Sequence, residues 1–140
     1  MTALQLAMRF VGEVKERPTG DHPLIQWWLS LCGFGFDAQD EVPWCSAFVN
    51  GIAWELRLPR SKSAAARSWL GMGVAVDLNV AFAAHDVVVL GRGINPAQGH
   101  VGFYAGREND TILICGGNQS NSVTVESFPV NRVVGVRRLA

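Results

Sequence analysis

Two different apolar rhythms divide this chain, and their order along it limits the fold more than any other feature. As far as about Leu70, apolar residues recur at helical spacing. Leu4, Leu6, Ala7, Phe10, Val11 and Val14 outline one amphipathic helix within Met1–Val14. After the turn Pro18-Thr19-Gly20-Asp21-His22-Pro23, residues Leu24, Ile25, Trp27, Trp28, Leu29 and Leu31 outline a second, stopped near Gly33 and Gly35. Phe48, Val49, Ile52, Ala53 and Leu56 outline a third that starts at Cys45 and closes at Leu58-Pro59, and Ala64–Trp69 adds a short fourth. Beyond Gly71 and Gly73 the rhythm changes. Residues Asp86–Leu90, Val101–Ala105, Ile112–Cys115, Val123–Val125 and Val133–Val136 form short β-branched runs separated by Gly, Asn, Asp or Pro. Helices followed by closely spaced strands predict an α+β domain, with the N-terminal helices packed on a C-terminal antiparallel sheet of about five strands.

With 140 residues, 49% of them hydrophobic and 17% charged, the chain can bury one real core and is too short for two, so residues 1–140 are read as a single domain. Twelve basic residues balance twelve acidic ones, which gives no electrostatic reason to bind nucleic acid or an anionic membrane. Arg132, Arg137 and Arg138 are expected to form a solvated edge. No apolar run reaches the length of a membrane span, and the first stretch lacks a basic leader and a cleavage site, so synthesis in the cytoplasm without membrane insertion is expected. Three widely spaced cysteines predict free thiols, neither a disulfide framework nor a CxxC zinc site.

Cys45 stands apart from the other two. Pro43-Trp44-Cys45-Ser46-Ala47-Phe48-Val49-Asn50 puts it in the first turn of a helix, where the positive end of the dipole favours a thiolate. Downstream, Gly99-His100-Val101-Gly102-Phe103-Tyr104 opens a strand with a histidine able to take the thiol proton and return it to a leaving amine. The pairing predicts amide hydrolysis, with the Cys45 backbone N–H as one oxyanion donor. Cys32 and Cys115 lie inside apolar runs and are expected to be buried structural thiols.

Five segments then carry a family resemblance: Pro43-Trp44-Cys45-Ser46-Ala47-Phe48-Val49-Asn50, Ala66-Arg67-Ser68-Trp69-Leu70, Asp86-Val87-Val88-Val89, Gly99-His100-Val101-Gly102-Phe103-Tyr104 and Gly116-Gly117-Asn118-Gln119-Ser120-Asn121. In this order they resemble the papain-like cell-wall cysteine hydrolases of the NlpC-type and CHAP group, most closely compact phage and prophage members. The resemblance implies a papain-like fold, peptidoglycan as substrate, no cofactor, Cys45 as nucleophile, His100 as base and then acid, and a polar residue on the next strand to orient the imidazole. Asn118 is the choice for that residue because it follows the strand Ile112–Cys115 and its amide oxygen can accept from the imidazole. Gln119 competes for the role and otherwise counts as a substrate-binding residue. Gly116 and Gly117 offer no carboxylate where some members have an acidic residue, and His85 precedes Asp86 where a glycine is common. Gln39, six residues before Cys45, has the spacing of a side-chain oxyanion donor in papain-like peptidases, with Asp40, Glu41 or a backbone amide as competitors. Trp44 and Trp69 are expected to wall a substrate groove.

Two other classes are weighed against this reading. A zinc amidase would need His22, His85 and His100 as ligands, and their spacing has no metal-binding pattern. A non-catalytic wall-binding module would use tryptophans as its platform, although Trp27, Trp28 and Trp54 sit at core or helix-face positions. Within the enzyme reading, an N-acetylmuramoyl-L-alanine amidase and a stem-peptide endopeptidase use the same residues. The expected setting is a monomeric phage or prophage lysin that depends on a holin-type helper, or an exported antibacterial effector with an immunity protein.

Overall fold

A computed structural model describes residues 1–18, 20–38, 42–91 and 98–140 of the chain. Helix α1 (Ala3–Met8) begins at Thr2, whose hydroxyl accepts from Gln5 N while the Gln5 side chain accepts from Thr2 N, a reciprocal capping box. It is shorter than its apolar pattern, because Gly12 at φ 79° turns the chain away from helix. Helix α2 (Pro23–Ser30) starts at His22, whose Nδ1 accepts from Leu24 N, with Pro23 preset for the first helical position. Helix α3 (Cys45–Glu55) ends in a Schellman arrangement: Arg57 takes φ 57°, Arg57 N donates to Trp54 O and Leu58 N donates to Ala53 O. Every residue from Cys45 to Ala53 is buried, as expected for a helix held between other elements rather than lying on a surface.

The sheet has six strands, β1 (Val74–Val76), β2 (Asp86–Gly91), β3 (Gly99–Glu108), β4 (Thr111–Gln119), β5 (Ser122–Pro129) and β6 (Val133–Arg138), in the spatial order β1-β6-β2-β3-β4-β5. All neighbours pair antiparallel. Five coincide with the expected runs, and the sixth is the three-residue edge strand β1, too short to leave a periodic signature. The expected fourth helix is a 3-10 segment, Ala66–Gly71. The helices-before-strands expectation therefore holds.

Two apolar clusters sit on opposite faces of the sheet. Val87, Val89, Val101, Phe103 and Cys115 pack with α1, α2 and α3, while Val88, Leu90, Tyr104, Ile112, Ile114 and Val136 form the other layer with Leu78, Phe128 and Val130. Strand β2 is buried on both sides, which explains its unbroken apolar sequence. Its first residue, Asp86, is 1% exposed and is held bidentately by Arg138, with both contacts at 2.8 Å. Arg137 Nε donates to Leu70 O and Arg132 Nε to Gly91 O. The arginines expected to form a solvated edge therefore tie β6 and its approach to the rest of the fold. His85 joins the termini, accepting from Ala3 N through its ring and from Leu139 N through its carbonyl.

Candidate active site

Cys45 opens α3 at the wall of a cleft of about 480 Å3. Trp44 occupies the N-cap position and supplies no side-chain cap, so the positive end of the α3 dipole falls at the thiol. Gln98, with Gly99 and His100 at the start of β3 and Asn118 from β4, also lines the cleft. Ala64, Ala65 and Ala66 close one side and Phe34, Val42 and Pro43 another. Cys45 and His100, 55 residues apart in sequence, thus meet one cleft because α3 packs across β3 and β4.

The alanine wall is fastened from behind by a buried polar cluster. Ser46 Oγ donates to Ser63 O and accepts from Trp69 Nε1 at 2.9 Å, and Asn50 accepts from Lys62 N through its side-chain oxygen at 2.9 Å. These bonds run from the helix carrying Cys45 to the segment carrying Ala64–Ala66, so the thiol and that wall are positioned together.

His100 is 5% exposed, and its Nε2 lies 2.8 Å from Gln119 Oε1. The rest of the Gln119 amide decides the direction of that bond. Its Nε2 faces Ile114 O at 3.2 Å, Thr124 O at 2.9 Å and Thr124 Oγ1 at 3.1 Å, and reversing the amide would turn oxygen onto two carbonyl oxygens. Oε1 must accept, so His100 Nε2 carries the proton, and Nδ1 is the basic nitrogen of the neutral ring. Phe128 covers the imidazole with ring centroids 5.4 Å apart, and Arg132 lies over the Phe128 ring. This apolar cover withholds water from the His100–Gln119 bond, which strengthens it.

Gln119 therefore takes the orienting position expected of Asn118, and the reason is a β-bulge. Gly116 pairs with Thr124 and Gln119 with Ser122, so β4 fits two residues, Gly117 and Asn118, where β5 has one, Val123. Asn118 absorbs the irregularity at φ 55°. The extra residue puts Gln119 on the face of Gly116 and His100, where Asn118 would stand in a regular strand. Asn118 lines the open cleft, whereas Gln119, counted from sequence as substrate-facing, is 4% exposed behind the imidazole. A two-residue turn follows, Ser120 and Asn121 at φ 52° and 58°, the left-handed pair that tight hairpins require.

The tryptophans expected in the groove wall are in the core. Trp44 and Trp69 are fully buried: Trp44 stacks on Trp28 and donates from Nε1 to Glu16 Oε1 at 2.9 Å, while Trp69 is spent on Ser46. Trp28 is buried and Trp54 is half-exposed on the helix face. Gln39, with its neighbours Asp40 and Glu41, lies outside the described residues. Sequence reading also missed Thr124, Glu126 and Phe128, which share one face of β5; their alternation was the available signal.

Burial separates the three thiols chemically. Desolvation pushes Cys115 up to about 12. Cys32 rises to about 11, chiefly by desolvation, with nearby Arg60 pulling it down and Cys45 pushing it up. Both stay protonated at neutral pH. The three histidines occupy separate elements, His22 at the cap of α2, His85 at the termini and His100 in the cleft, and among the described residues no group of His, Cys, Asp or Glu side chains is placed to hold a metal ion. No described helix is long and apolar enough to cross a membrane.

No protein-family model and no curated protein matches the sequence. Solved structures do match. NlpC2 from Trichomonas vaginalis superposes with a TM-score of 0.60 at 17% identity over 98% of this chain. NlpC1 from the same organism superposes with a TM-score of 0.58 at 17% identity, again over 98%. The chain spans 44% and 42% of those two proteins, so it corresponds to less than half of each. What it shares with them is the architecture, and the fold of this chain is the NlpC-type papain-like α+β fold.

Proposed function

We propose that the chain is a cysteine-dependent amide hydrolase that cuts peptidoglycan. The observation that carries the reading is the fixed tautomer of His100: Gln119 holds the proton on Nε2, which leaves Nδ1 as the base in the cleft that Cys45 lines at a helix start. In the proposed reaction Nδ1 takes the thiol proton, and the resulting imidazolium and the α3 dipole both favour the thiolate. The thiolate adds to the amide carbonyl, whose oxygen gains charge near the Cys45 N–H. The C–N bond then breaks, the amine leaves with the proton from His100, and a thioester remains on Cys45. Water, deprotonated by the now neutral His100, hydrolyses the thioester to a carboxylic acid and restores the thiol.

Peptidoglycan as substrate rests on the resemblance of the five sequence segments, supported by the NlpC fold. Cutting at the muramoyl-L-alanine amide or within the stem peptide uses the same residues. In the same reading the protein is a phage or prophage lysin, or an exported effector, that meets the wall after synthesis in the cytoplasm. Expression confined to the cytoplasm should then be tolerated and export to the periplasm should lyse cells.

Mass spectrometry of soluble fragments released from purified peptidoglycan by the wild type and by Cys45→Ala tests the chemistry. Fragments with new amine termini, made by the wild type alone, are expected, and their masses identify the bond. Binding to the wall without release of fragments would replace the enzyme reading with that of a binding module.

A further inference from the structure

The hydrogen bonds of the site do not stop at Gln119. Thr124 Oγ1, which accepts from Gln119 Nε2 at 3.1 Å, donates in turn to Glu126 Oε2 at 2.9 Å. Ser120 Oγ donates to the same carboxylate oxygen at 2.9 Å. Each donor and acceptor in the series His100 Nε2–H, Gln119 Oε1, Gln119 Nε2–H, Thr124 Oγ1–H, Glu126 Oε2 points the same way, from the imidazole toward the carboxylate. The three residues beyond His100 sit on two neighbouring strands, where the β4 bulge puts Gln119 on the sheet face that carries Thr124 and Glu126.

Resting on the reading of Cys45 and His100 as thiol and base, we propose that Glu126 is a positioning residue for His100, acting through Thr124 and Gln119 as the remote negative charge that favours the imidazolium. The sequence between Gly116 and Asn121 offers no carboxylate beside the imidazole. Glu126 supplies one from the next strand, two hydrogen bonds further back. A hydroxyl that donates to a carboxylate becomes a better acceptor. The amide N–H bound to it is polarised, charge shifts onto the amide oxygen, and that oxygen binds a protonated imidazole more strongly. The direct field has the same sign, a negative charge favouring a positive ring. Arg132, over the Phe128 ring, and Arg67, whose Nε donates to Gln98 O, carry positive charges that oppose the imidazolium. Glu126 is half-buried, so solvent weakens the effect without abolishing it.

The test is the pH profile of Cys45 alkylation by iodoacetate, which needs no substrate. The imidazolium of a thiolate–imidazolium pair attracts this anionic reagent, so the rate holds a plateau that ends on the alkaline side, where the ring loses its proton and its attraction although the thiolate remains. In Glu126→Gln that alkaline limb should move to lower pH by about 0.5 unit, an approximately threefold loss of imidazolium above it. Thr124→Val keeps the β-branched shape and cuts the relay but leaves the direct field of Glu126, so it should move the limb the same way by a smaller step, and the double variant should move it no further than Glu126→Gln. Ser120→Ala removes a hydrogen bond from Glu126 outside the relay and should leave the limb in place. NMR titration of the His100 ring provides the same readout in each variant. A wild-type plateau with an unmoved limb in Glu126→Gln and Thr124→Val overturns the relay and leaves the thiol–imidazole reading standing, as does an equal shift in Ser120→Ala. A wild-type profile that rises once, as for a free thiol near pH 8.5, overturns both.

Discussion

A β-carbon on Gly116 would stand 2.5 Å from Gln119 Oε1, the oxygen that holds the His100 proton. It would also come within 3.3 Å of His100 Nε2, so the bare backbone of Gly116 makes room for the bond that orients the imidazole. Gln119 cannot retreat, because its amide nitrogen is bonded to carbonyls on two strands. Gly116→Ala is expected to lower kcat about 10- to 100-fold through a misplaced ring, and to destabilise the fold by about 1–3 kcal/mol through overpacking. Fragment release and thermal denaturation measure the two effects, and unchanged kcat would contradict the role given to this glycine.

Gln119 and Asn118 are neighbours with different expected phenotypes. Gln119→Ala removes the acceptor of the imidazole proton and should cut kcat by about 10- to 100-fold. Asn118→Ala touches the open cleft and should change KM more than kcat. Steady-state kinetics on one soluble fragment separates them, and an equal loss of kcat in both would contradict the division of roles between them.

Cys45 should be alkylated at neutral pH while Cys32 and Cys115, raised to about 11 and about 12 by burial, are spared. Peptide mapping by mass spectrometry reads the selectivity. The raised values carry a stability consequence with a definite sign. Below pH 9, the ordinary thiol value, folded and unfolded chains both keep these protons. As pH climbs from 9 toward about 12, the unfolded chain gives them up first and stability falls. Denaturant titrations at increasing alkaline pH should show that fall, and Cys115→Ala should make it shallower.

Trp69→Phe separates a core residue from a groove residue. The indole N–H is bonded to Ser46 Oγ at zero exposure, so its loss should lower stability by about 1–2 kcal/mol. The substrate KM should change less than twofold, whereas a large rise in KM at unchanged stability would put Trp69 back in the groove.

What was legible in the sequence was what depends on local pattern. The position of Cys45 at a helix start was visible because the helix follows Pro43-Trp44, and five strands were visible because β-branched runs are bounded by turn residues. Strand β1 escaped because three residues have no period. Asn118 and Gln119 were interchanged because alternation counts positions along one strand, and the bulge that shifts the count is visible only against the partner strand. Trp44 and Trp69 were misplaced for a related reason. Aromatics beside a nucleophile look like a groove from the sequence, but their burial depends on Trp28, Glu16 and Ser46, which are distant in the chain.

The irregular ladder at the end of β4 gives the molecule an economy that a regular strand lacks. Successive side chains of an even strand leave by opposite doors, so two adjacent amides could not both attend one imidazole. Here Asn118 borders the chamber and Gln119 braces the ring from behind, because one surplus residue resets the odd-even count between them. Removing Asn118 would restore an even ladder with Gln119 still on the face of Gly116, whereas adding a second surplus residue would send Gln119 to the helix side. At this place the chain is expected to tolerate a shortening better than a lengthening.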